Sequence, residues 1–162
     1  MTPQYSNDYL DRVYEGVSVF DLWSLLTAFE RQVTLPERSW LFCRLVEWVS
    51  STRSSVWTYY EATGLDVQTR ISTAVGRCPE LRALAEYFNL GMRTWKSTEE
   101  VGPVDAWIDS HEAQIHASLM QLAREDKLAI IKLNGEQDGA ANQSQPVRPE
   151  ANRPSPAAGS GG

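Results

Sequence analysis

Apolar side chains recur at steps of three and four along most of this chain, and that spacing is the strongest constraint on its fold. Val19, Leu22, Trp23, Leu26, Phe29 and Val33 line up on one face of a helix, because 3.6 residues make a turn. Ser18 with Asp21 three residues on reads as a helix cap. Thr34-Leu35-Pro36-Glu37 has the Ser/Thr-x-x-Glu spacing and early proline of a second start, which leads into Trp40, Leu41, Leu45, Trp48 and Val49. The polar run Ser50 to Ser55 breaks that helix or caps the next. A short helix carrying Trp57, Tyr59 and Tyr60 follows, then one with Val67, Ile71, Ala74 and Val75, then one opened by Pro79 with Leu81, Leu84 and Phe88. Gly64, Gly76, Gly91 and Gly102 are spaced as helix stops. Pro103 is expected to open the longest helix, with Val104, Ile108, His111, Ile115, Leu119 and Leu122 along one stripe.

Lys127 to Leu133 fits either a further helical stretch or a short strand. With no other strand to pair with, helix is expected. The expected fold is therefore all-α, an irregular bundle of about six helices. The domain is placed at 1–133. Residues 134–162, with five Gly, four Pro and no aromatic residue, have too little apolar surface to offset the entropy of ordering. They are expected to form a disordered tail.

Charge narrows the function. Of the formal net charge of −6, nearly all belongs to the domain, where 18 acids face 13 bases. That balance argues against direct nucleic-acid binding, which needs Lys and Arg to neutralise phosphates. No apolar run is long enough for a membrane helix, and the N-terminus lacks the pattern of a secretory signal. Cys43 and Cys78 are too few for a disulfide framework and read as unpaired thiols of a cytoplasmic protein.

Catalytic motifs are missing. His111 and His116 stand five residues apart, about 140° round a helix, where a zinc-binding pair needs four. There is no phosphate loop, no nucleophile elbow and no cofactor motif. An enzyme with an unrecognised site stays open. A pocket in which Tyr59, Tyr60, Glu61 and His111 converge would be its mark.

Two features point to a binding role. From Ser97 to Ala123 there is no Lys or Arg, whereas Glu99, Glu100, Asp105, Asp109 and Glu112 lie there. Asp105, Asp109 and Glu112 share one helix face by spacing. They form either a solvated face or an acidic strip presented to a basic partner protein. The second feature is the aromatic density from Trp40 to Tyr60. It reads as core, or as a groove with Trp57, Tyr59 and Tyr60 as partner-binding anchors.

Leu35-Pro36-Glu37-Arg38 opening a helix, the Tyr59-Tyr60-Glu61-Ala62-Thr63-Gly64 segment, the Ile71-Ser72-Thr73-Ala74-Val75 helix and Val104-Asp105-Ala106-Trp107-Ile108-Asp109 carry a likeness over about residues 20–126. On these residues the chain resembles the all-helical domain of the bacterial DNA-mimic protein family. It departs from that family where an Asn-Gly-Gly-Phe-like turn usually precedes the aromatic pair, since Arg53-Ser54-Ser55-Val56 stand there. The resemblance implies an all-α fold and a non-enzymatic inhibitor whose acids stand in for DNA phosphates. An immunity-type protein that blocks a toxin by shape is the alternative. Partner identity and oligomeric state are left open.

Overall fold

The computed structural model describes the backbone of residues 5–144 and the side chains of residues 5–136. Among these residues the secondary structure is helical throughout, with no strand. In chain order the helices are α1 (Asn7–Glu15), α2 (Val19–Glu30), α3 (Glu37–Ser50), α4 (Trp57–Ala62), α5 (Leu65–Gly76), α6 (Arg82–Thr94), α7 (Thr98–Ser110), α8 (Glu112–Arg124) and α9 (Lys127–Ser144). Short 3-10 turns at Ser51–Ser54 and Pro79–Leu81 join α3 to α4 and α5 to α6.

Nine α-helices among the described residues replace the expected six. One of the additional helices is α1, whose first turn is capped by Ser6 accepting from the Tyr9 N–H at 3.1 Å. The expected long helix is in fact two. Helix α7 starts at Thr98, five residues before Pro103, because Ser97 caps the Glu100 N–H at 3.3 Å. Pro103 lies inside the helix and removes one backbone bond there. At Ser110 and His111 side chains compete for the helical carbonyls. Ser110 Oγ donates to Ala106 O at 2.9 Å, the His111 ring lies 2.9 Å from Trp107 O, and the chain turns into α8.

Helix α3 is the central element and packs against α2, α5 and α8. Its buried face holds Leu41, Phe42, Cys43, Leu45 and Trp48. Both cysteines are buried and unpaired, and burial pushes each thiol above its ordinary range. Helix α6 packs between α5 and α7. The stacked rings of Tyr87 and Trp107, 4.3 Å apart, lock α6 to α7.

Gly76 ends α5 and Gly64 follows the end of α4, as expected, whereas the other two glycines do not end helices. No described glycine has a positive φ, and Gly91 and Gly102 lie inside α6 and α7. Gly91 serves a close approach instead. A Cβ there would fall on the Tyr60 hydroxyl and 2.5 Å from its Cζ.

The domain also runs past residue 133. Asn134 is buried and binds the backbone of Tyr5 from both sides, accepting from its N–H at 3.2 Å and donating to its carbonyl at 2.8 Å. Helix α9 continues to Ser144. The tail expected to be disordered lies, from residue 145 on, outside the described residues. No helix among the described residues is long and apolar enough to cross a membrane.

Candidate functional site

The end of α3 carries a run of hydroxyls that turn back on their own helix. Ser50 Oγ donates to Val46 O at 2.6 Å and Thr52 Oγ1 to Val49 O at 3.1 Å. The second bond occupies a carbonyl that the helix end leaves open, and together they tighten the chain into the 3-10 turn that presents Thr52 and Arg53.

The turn closes at Ser55, where φ is +75°. A side chain in that region is strained. Asp105, on α7, holds it there: one carboxylate oxygen accepts from Ser55 Oγ at 2.5 Å and the other from the Val56 N–H at 2.8 Å. Val56 is then fully buried. Ser55→Ala loses a hydrogen bond to a charged group and keeps the strain. Its expected cost is about 2 kcal/mol. Ser55→Gly loses the same bond but relieves the strain, so it is expected to be about 1 kcal/mol more stable than Ser55→Ala. Thermal melts of the two variants check the order.

With this corner fixed, a groove of about 620 Å³ opens between the start of α2, the end of α3 and the α7–α8 joint. Asp109 and Glu112 line it from the α7–α8 joint and Thr52 and Arg53 from the 3-10 turn after α3. His116 lies half-buried in the lining, edge-on to Phe20 with ring centroids 5.9 Å apart. Phe20 is 45% exposed. It also borders a second, more apolar groove of about 390 Å³ lined by Trp23, Val46 and Glu47. Burial raises the Glu47 carboxyl above its ordinary range, against the opposing pull of Arg44. Trp23 Nε1 donates to that carboxylate at 3.4 Å.

The expected site residues separate into three sets. Asp109 and Glu112 are exposed and share the groove. Glu99 and Glu100 are exposed at the first turn of α7, about 15 Å along the helix from Asp109 at 1.5 Å per residue. Asp105 does not belong to a free strip, because both of its oxygens are committed to the Ser55 turn.

Two of the three expected aromatic anchors, Tyr59 and Tyr60, lie in the core. Tyr60 is 1% exposed. Its hydroxyl accepts from Trp48 Nε1 at 2.9 Å and donates to Phe88 O at 2.9 Å. Tyr59 is buried too, and burial pushes its hydroxyl up to about 12. Trp57 is half-buried against the core. Two adjacent rings on a short helix both face inward because α4 is covered on more than one side, by the 3-10 turn and by α6. The pocket that would join Tyr59, Tyr60, Glu61 and His111 is not formed. Glu61 is exposed, and His111 stacks on Trp107 at 5.3 Å.

Phe20 and Arg53 are not among the site residues expected from the sequence, and His116 enters there only as half of a rejected zinc pair. Phe20 alone carried a signal there, as a large aromatic one position off the apolar stripe of α2. No group of three or more His, Cys, Asp or Glu suited to a metal ion occurs among the described residues. Comparison with protein-family models, with curated proteins and with solved structures finds no match to this chain.

Proposed function

We propose that this chain is a non-enzymatic protein-interaction module that takes a basic segment of a partner protein into the groove between α2 and the α7–α8 joint. The observation that carries this reading is the joint exposure of Asp109 and Glu112 on the wall of a groove with Phe20 at its edge. A Lys or Arg from a partner gains two carboxylates there and packs its aliphatic stem on an aromatic ring. Glu99 and Glu100 then act at a distance, steering a basic partner towards the face.

Capture of one discrete segment suits the geometry better than imitation of a DNA duplex, the sharper form of this reading. A duplex presents about one charge per 1.7 Å of axis. Here Asp105 is withdrawn from the row, and the remaining exposed acids of α7 lie in groups about 15 Å apart. Arg53 further reduces the negative field along the groove.

The test is capture from extracts of the source cell, with wild type and the Asp109→Asn/Glu112→Gln double variant, at low and at high salt. Basic proteins held by wild type at low salt are expected to be released by salt and to be lost about tenfold in the variant. Capture that is indifferent to both salt and the two substitutions would contradict the proposal and favour blocking by shape.

A further inference from the structure

The same face carries both halves of a charge pair. Arg53 is exposed and forms no ion pair among the described residues. Asp109 likewise has none, and Glu112 reaches only His116, at 3.9 Å. Phe20, 45% exposed, lines the same groove as these charges. Opposite charges and an apolar side chain gathered on one patch are what an isologous interface needs, since a two-fold axis must bring the patch against itself.

From this arrangement we propose that a second copy of the chain docks on the groove. A two-fold axis directed into the groove between Arg53 and the acidic wall exchanges the two. Each Arg53 then meets the partner's Asp109 and Glu112, and each Phe20 is covered by its partner. This inference stands apart from the capture of a basic segment. It adds a regulatory consequence, because a dimer closes the groove and basic partners are taken by the monomer.

Sedimentation velocity over a range of protein concentrations tests the proposal. Wild type is expected to show a monomer–dimer equilibrium that salt weakens. Arg53→Glu alone, and Asp109→Arg/Glu112→Arg alone, place like charges across the axis, and each is expected to raise the dimer Kd about tenfold or more. An equimolar mixture of these two variants restores opposite charges in both halves and is expected to recover association. Phe20→Ser is expected to weaken the dimer, whereas Leu65→Ser, which borders neither groove, leaves it unchanged. The changed side chains are mainly solvent-facing, and circular dichroism checks that the helices are retained. A wild type that stays monomeric at all concentrations, or a variant mixture that does not associate, overturns the proposal. Extract capture separates the two readings: Arg53→Glu is expected to hold basic proteins more tightly even as its dimer is lost.

Discussion

Gly91→Ala is expected to lower the stability of the domain by about 3 kcal/mol, at the upper end of what overpacking costs. The added methyl has no open space to enter. It would fall on the Tyr60 hydroxyl and crowd the ring behind it. Tyr60 is 1% exposed and cannot swing out to solvent. Moving it breaks the relay in which Trp48 Nε1 donates to the Tyr60 hydroxyl and that hydroxyl donates to Phe88 O. The Trp48 N–H, buried with its side chain, would be left without a partner, a further cost of about 1–3 kcal/mol if the ring cannot resettle. Urea unfolding followed by Trp fluorescence should show a lower midpoint with an unchanged slope. The Gly91→Ala/Tyr60→Phe pair should cost less than the sum of its parts, because Phe removes the atom that the new methyl meets.

Asp126→Ala is expected to cost about 2–3 kcal/mol, combining a lost helix cap with a buried hydroxyl left unpaired. Helix α3 begins after Pro36, which supplies no side-chain cap. The missing acceptor comes from the turn between α8 and α9. Asp126 Oδ2 accepts from the Ser39 N–H at 2.8 Å and from Ser39 Oγ at 3.0 Å. Ser39 is fully buried, and both of its donors rely on that carboxylate. The negative charge also suits the positive end of α3. Asp126→Asn keeps an acceptor oxygen and is expected to lose about half as much. Equilibrium unfolding gives the two values, and amide exchange in the first turn of α3 should accelerate in both variants.

These two positions mark the boundary of what could be read in advance. The periodic stripes of α2, α3, α5 and α6 were legible because each buries one face against neighbours, and period is what burial imposes. The cap of α2 was legible because Ser18 and the Asp21 N–H are three residues apart. The cap of α3 was not. Thr34-x-x-Glu37 offered the local signal, but the acceptor sits 87 residues away. Gly91 was misread for the same reason, since what it accommodates is Tyr60 on another helix.

The site follows the same division. The exposure of Glu99, Glu100, Asp109 and Glu112 was legible from the absence of bases around them. The withdrawal of Asp105 was not, because its partners lie about 50 residues back at a turn that the sequence marks only as polar. The inward turn of both Tyr59 and Tyr60 depends on which helices cover α4, information that the spacing of one short helix does not contain.

The groove formed by α2, the end of α3 and the α7–α8 joint is proposed to receive basic groups. The most direct measurement is an amide NMR titration of the labelled chain with tetra-arginine, at a protein concentration where the chain is monomeric. The expected result is a set of shift changes gathered at Ser50, Thr52, Asp109, Glu112 and His116, suppressed by salt and absent in the Asp109→Asn/Glu112→Gln variant. Shift changes confined to Glu99 and Glu100, or changes in the groove that survive the double substitution, would contradict it.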